Sequence, residues 1–359
     1  MEAEGPAWKG AMNVMCSYTE KDYAGSNSCT NPRILDTILK QRYEFSGFVI
    51  SDLGAVDGHT AASIAAGMDV YLGTGPNGEE VKSWLSSGQL TQERLNNAVS
   101  RTLLPRFMEG EFDPPELVPY WNQKKFGCDR VGASEHHKLA YEAAVQSLVL
   151  LRNDGVLPLP KTSKVAIIGP FGTHARWMFN RYSHVPAQGS PLLVSLAQAM
   201  GSALGSGQVT SAAGCSDVAA TTACLKLDTA AVRAAEKDAD VLVYALGTGE
   251  PIESETSSGA NGPAGATLTL PGQQEALVEA GLQTGKKVVV VLFTASPKNG
   301  AWMSKVHAVV HAAYPQMFGA QAVTDVLLGR AVPCWDGKCH AENATPAWNM
   351  PILSTRILG

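Results

Sequence analysis

Short runs of apolar, largely β-branched residues recur along this chain, and each is followed by a turn and then by apolar residues at helical spacing. Phe48-Val49-Ile50, Val165-Ala166-Ile167-Ile168 and the stretches 241–246, 288–293 and 308–311 are too short to span a bilayer. They are also too evenly apolar for a sheet with one wet face. They read as parallel strands buried on both sides. Helical spacing in residues 192–204, 229–237, 272–283 and 319–328 supplies the cover, so strand and helix alternate in an α/β fold with right-handed crossovers.

The first third of the chain carries the same alternation. Val14-Met15-Cys16 forms the heart of a strand, Pro32 opens a helix with Ile34, Leu35, Ile38 and Leu39 on one face, and Gly47 leads into the next strand. Residues 60–66 can be helical, 68–72 read as a third strand, and 81–87 and 92–108 as helices. Between 109 and 133 the period is lost among Asp113-Pro114-Pro115, Pro119 and Tyr120-Trp121, which marks a linker. A long helix is expected over 134–153 with Ser134 as its N-cap, and the Ala/Gly/Ser-rich stretch 201–220 reads as a surface loop. With 359 residues the chain has room for two cores: a first domain over 1–108, a second over 134–332, and an irregular tail over 333–359.

A net charge of -5 without a basic run leaves no electrostatic footprint for nucleic acid or an anionic membrane, so neither is expected as a partner. The first residues lack the basic and apolar regions of a signal peptide. Among the seven cysteines there is no C-x-x-C pair and no His at zinc-finger spacing, so no metal site is expected. Cys215 with Cys224, and Cys334 with Cys339, lie close enough in loop-like sequence to bridge. Together with the glycosylation sequon Asn343-Ala344-Thr345 they lean toward the secretory pathway or the extracellular space.

Two places carry candidate chemistry. Asp52 follows Phe48-Val49-Ile50-Ser51 and precedes the Gly-rich turn to His59, the position where a parallel strand delivers a carboxylate to its C-terminal end; an Asp there can equally cap the helix that follows. Glu250, Glu253 and Glu255 sit in a polar loop after the strand at 241–246, either a solvated acidic loop or a source of a second carboxylate. Sugar-cleaving enzymes need such a pair, one ionised to attack and one protonated to donate. The glycines at 169–172 and 247–249 complete neither G-x-G-x-x-G nor a P-loop, and no G-x-S-x-G elbow occurs.

Ordered motifs across nearly the whole chain resemble glycoside hydrolase family 3. Val14-Met15-Cys16-Ser17-Tyr18 resembles the family's M-C-S-Y-N strand end, residues 45–52 its F-x-G-F-V-x-S-D segment, and Ala66-Gly67-Met68-Asp69 its A-G-x-D. Residues 140–157 are similar to its A-x-x-A-x-x-S-x-V-L-L-K-N helix, 165–170 to V-A-V-I-G-P, Leu268-Thr269-Leu270-Pro271-Gly272-Gln273-Gln274-Glu275 to L-x-L-P-G-x-Q, and 314–329 to Y-P-G-Q-x-G-G-x-A-x-x-D-V-L-x-G. The resemblance implies the C-terminal strands of a (β/α) barrel, hence a partial barrel, followed by an α/β sandwich with a mostly parallel sheet and the active site between them. It implies hydrolysis of terminal non-reducing β-D-glycosyl residues, as a β-glucosidase or β-xylosidase, by a retaining double displacement and without a cofactor. Asp52 would be the nucleophile and Glu255, or failing it Glu253, the acid/base; Tyr18, Met15 and Leu53 would line the sugar site. Retention asks for carboxyls roughly 5 Å apart.

The departures bear on this reading. Leu53 stands where many glucosidases have Trp and many xylosidases Cys, Thr19 replaces an Asn, no D-R follows the glutamates, and Gln316-Met317-Phe318 replaces Gly-Gln-Glu. Met1 falls just before what resembles the sixth barrel strand. The expectation is therefore a truncated chain short of the strands whose Arg and Lys-His grip the sugar, with exposed strand edges that await a missing barrel segment or a second copy. The alternative function is an inactive remnant that at most binds carbohydrate or a partner chain.

Overall fold

The structure is a computed structural model that describes residues 11–17, 27–180, 182–219, 221–249, 252 and 268–332. It divides into two compact units, Met1–Arg130 and Val131–Gly359.

The first unit is built on two parallel strands, β1 (Asn13–Cys16) and β2 (Phe48–Ser51), in register from Asn13 opposite Phe48 to Cys16 opposite Ser51. Gly47 opens β2 because the chain passes so close to Met12 that any side chain would strike its carbonyl, which accepts the Phe48 N–H at 3.1 Å. Pro32 starts the helix that returns from β1, and its run Arg33–Arg42 is wound as a π-helix. Three α-helices follow: α1 (Thr60–Ala66), α2 (Gly78–Ser86) and α3 (Gln92–Met108). The second begins earlier than the apolar spacing suggests because Asn77 and Glu80 form a reciprocal capping box. Cys16, Leu35, Val49, Val56, Ile64, Met68 and Leu90 make one core. The expected third strand at 68–72 reduces to a single parallel bridge between Ile50 and Val70, because the Leu72 N–H goes to the Ser51 hydroxyl at 2.9 Å instead of extending a ladder.

The second unit is a six-stranded sheet in the order β3-β8-β7-β6-β4-β5. Its strands are β3 (Val149–Asn153), β4 (Val165–Ile168), β5 (Val209–Ala212), β6 (Val241–Gly247), β7 (Lys287–Phe293) and β8 (Ala308–His311). All pairings are parallel except that of β3 with β8. Alternation along β6 divides its side chains between two cores. Val241, Val243 and Ala245 pack with α4 (Ser134–Gln146), α5 (Leu196–Leu204) and α8 (Gly319–Leu327). Leu242, Tyr244 and Leu246 pack with α6 (Thr229–Glu236) and α7 (Gln274–Leu282). Covering both faces is what a parallel sheet of this composition requires.

Two expectations fail here. The long helix expected over 134–153 stops at Gln146, and Val149–Asn153 instead forms the antiparallel edge strand beside β8. The loop expected over 201–220 contains β5, which pairs with β4 from Val209 opposite Val165 to Ala212 opposite Ile168. Disulfides join Cys215 to Cys224 and Cys16 to Cys29, the latter a pair that sequence spacing does not suggest. Cys128 is free and exposed, and Cys334 and Cys339 lie outside the described residues. Among the described residues no helix is long and apolar enough to cross a membrane.

Tyr244 is wholly buried in β6 and donates its phenol hydrogen bond to Glu236 at 2.7 Å. Burial, and then that bond, push its ionisation well above the ordinary 10.0. The folded state therefore keeps a proton that the unfolded chain releases, so this contribution is complete below pH 10 and is lost as pH rises beyond it. Urea unfolding should show stability declining above pH 10, with a shallower decline in Tyr244→Phe. That variant should also be about 1–3 kcal/mol less stable at pH 8, because buried Glu236 loses its donor.

Candidate active site

Asp52 stands where β2 ends. The alternation of β2 turns Val49 and Ser51, both fully buried, toward the helices, and sets Ile50 and then Asp52 on the other face. Through the register of Met15 with Ile50, Met15 shares that face and is more than half exposed. Asp52 is itself half-buried; one carboxylate oxygen accepts the Leu53 N–H at 2.7 Å, and Leu53 projects outward, 63% exposed. No helix cap is made by Asp52, because α1 begins only at Thr60 with His59 as its flanking residue. Tyr18, Glu253 and Glu255 lie outside the described residues.

What holds β2 in place is a buried carboxylate further along the chain. Asp69, its side chain fully buried, accepts from the Lys40 ammonium at 2.6 Å, from the Arg94 guanidinium at 2.6 Å and from the Val49 N–H at 2.8 Å. One side chain thus ties the π-wound helix, β2 and α3 together. Lys40 also donates to the Gly67 carbonyl, and Arg94 to the carbonyls of Ile64 and Met68. Burial pulls the Lys40 ammonium down to about 8, with Asp69 acting in the opposite direction. Above the strand end, Tyr71 donates to Asp57 at 2.6 Å, a bond that pushes the phenol up and braces the turn after Asp52. Nothing in the sequence spacing signals that pair, whereas Asp69 was visible in the A-G-x-D match.

In the second unit β6 ends at Gly247, at the C-terminal edge of the parallel strands, and Thr248 and Gly249 begin the segment that carries Glu253 and Glu255. The glycine after β4 has a packing role: a side chain at Gly169 would strike the Ala245 carbonyl. No nucleotide is needed to account for it.

Two family profiles match these units. The profile of the glycosyl hydrolase family 3 C-terminal domain covers residues 148–339, and that of the glycosyl hydrolase family 3 N terminal domain covers residues 9–104. The chain belongs to glycosyl hydrolase family 3. Among curated relatives, "Probable exo-1,4-beta-xylosidase bxlB" of Aspergillus clavatus is 32% identical over 339 residues, which cover 89% of this chain and 41% of the relative. "Beta-xylosidase/alpha-L-arabinofuranosidase 2" of Medicago sativa subsp. varia is 30% identical over 338 residues, with 88% and 41% covered. Among solved structures, a β-glucosidase from Erythrobacter marinus superposes with a TM-score of 0.74 at 25% identity, over 90% of this chain and 46% of that one. A family 3 exo-β-xylosidase in complex with a xylobiose aziridine probe gives 0.70 at 27%, over 90% and 42%. The chain thus spans about two fifths of the length of the curated relatives it matches. Its fold is the α/β architecture of family 3, a partial (β/α) barrel and a sandwich domain.

Removing the Asp69 carboxylate leaves the Lys40 charge buried without its partner, so Asp69→Ala should cost about 3–5 kcal/mol in urea unfolding. A loss under 1 kcal/mol would show that β2 does not depend on this hub.

Proposed function

We propose that the chain acts on glycosides, cleaving terminal non-reducing β-D-xylosyl or β-D-glucosyl residues by a retaining double displacement. The observation that carries the reading is Asp52, a half-buried carboxylate at the C-terminal end of a parallel strand inside the family's nucleophile segment. Asp52 attacks the anomeric carbon while Glu255, with Glu253 as the substitute, donates a proton to the departing oxygen; water then releases the sugar with the same residue as base. Tyr18, Met15 and Leu53 line the sugar site, and no metal or cofactor enters the chemistry. The relatives support both sugars, two of them being β-xylosidases by name and one solved structure a β-glucosidase. The domain scheme is a barrel portion over 1–108, a linker over 109–133, a sandwich over 134–332 and a tail over 333–359.

A second reading has its own observation. Among the described residues β1 pairs only with β2, so its outer edge presents backbone groups without a strand beside them. That favours a chain that needs a further barrel segment to act, or one that only binds carbohydrate or a partner.

Hydrolysis of 4-nitrophenyl β-xyloside and β-glucoside by the purified chain separates the two. Under the first reading Asp52→Asn falls to background. Glu255→Gln loses about 10²–10⁴-fold on glycosides with poor leaving groups and much less on activated ones. No turnover by any form decides for the second reading.

The disulfides Cys16–Cys29 and Cys215–Cys224 support an oxidising, secretory setting. Peptide mapping without reductant should recover both pairs, and reduction should lower stability by about 2–3 kcal/mol for each closed loop of this length. Recovery of all four as thiols from the native source would contradict that setting.

A further inference from the structure

Gln274 is the first residue of α7 and is wholly buried, yet it makes no helix cap. Its amide is spent on backbone. The side-chain oxygen accepts the Gly247 N–H at 2.8 Å, and the side-chain nitrogen donates to the carbonyls of Gly247 at 2.8 Å and Thr222 at 2.7 Å. Both hydrogens and an oxygen lone pair are thereby used on the end of β6 and on the loop closed by Cys215–Cys224. Other contacts converge on the same spot. The Thr222 hydroxyl, also fully buried, donates to the Thr248 carbonyl, and the Gln273 N–H donates to the Cys224 carbonyl at 2.9 Å. Gly249 has a φ of 69° and lies against Thr222, and Gly272 has a φ of 57° and lies against the Ala223 carbonyl; side chains at either would collide. Three segments, 222–224, 247–249 and 271–274, are thus pinned together at the strand exit.

A helix-packing role needs none of this. An apolar residue at 274 would bury as well against the sheet, whereas an amide meeting both backbone groups of Gly247 fixes the two peptide planes on either side of its Cα and so the direction in which the chain leaves β6. We propose that Gln274 is a positioning residue: it fixes the Gly247–Thr248 exit of β6 and, through it, aims the segment that carries Glu255. The first half stands on the described geometry alone. The second rests on the reading of Glu255 as the acid/base.

The test uses the full chain with Gln274→Met, which keeps the length and removes the amide. Amide hydrogen exchange at Gly247 should accelerate about tenfold or more, while the interior of β4 is unchanged. Phenyl glycosides, which need a proton donor, should lose about tenfold or more in kcat/KM, and 2,4-dinitrophenyl glycosides should stay within about twofold. Thr222→Val, which removes only the hydroxyl bond to Thr248, should shift both readouts the same way to a smaller degree, and serves where Gln274→Met does not fold. Unchanged exchange at Gly247 in a folded variant overturns the proposal. An equal loss on both glycosides also overturns it, by reducing Gln274 to a stability residue. A wild-type chain without turnover on either glycoside defeats the Glu255 reading instead, and the exchange result then decides the fixing of the exit by itself.

Discussion

A parallel strand with no wet face must have its backbone groups paired along both edges or at a deliberate end, and its side chains covered on both sides. Most of what this chain does structurally answers that demand. In the second unit β4, β6 and β7 lie in the sheet interior, with valine, isoleucine and leucine divided between two helix layers. Glycines stand where β4 and β6 end, because the neighbouring chain passes too close to Gly169 and Gly247 for a side chain. In the first unit the same demand is met by charge: Lys40 and Arg94 converge on Asp69, which also takes a β2 backbone hydrogen. An isolated ion would be costly in that interior, and the shared carboxylate, with carbonyls completing the donors' needs, makes the arrangement tolerable.

The consequence is a division of labour within single tripeptides. In Ile50-Ser51-Asp52, Ser51 is spent on structure, its hydroxyl held by Leu72 and its N–H by Val70, and one oxygen of Asp52 accepts its own neighbour's N–H. In Leu246-Gly247-Thr248 the ladder ends and side-chain amides and hydroxyls take over. Strand ends are where the fold stops needing its polar groups for itself, so they are where chemistry can be housed.

The interior strands were legible because their burial is written in consecutive apolar residues: 241–246, 288–293 and 308–311 are strands to within a residue. Edges were not. Val209-Thr210-Ser211-Ala212 has only one buried side chain, so nothing in it distinguishes strand from loop until β4 lies beside it. Val149-Leu150-Leu151 fits the apolar face of the preceding helix as well as it fits a strand, and pairing with β8 decides the matter. The bridge between Cys16 and Cys29 depends on how β1 and the loop after it approach, which spacing does not encode. Asp52 and Asp69 were visible as motif positions; that Asp69 clamps β2 from a different segment, and that Gln274 grips β6, are facts of packing.

The sheet of the second unit also has an order of assembly built into it. Among the described residues its first strand in the chain, β3, bonds only to its last, β8, so the strand that opens the unit waits for this neighbour until almost all the described part has been made. On a ribosome, β6 emerges well before β7 and β8, and its seven wholly buried residues must wait with an open edge. Such pairing between distant parts of a chain is slow, and the waiting strand is rich in residues that favour self-association. Yield of this protein should therefore be governed less by its final stability than by how synthesis is paced and by what shields β6 until Ala308–His311 arrives.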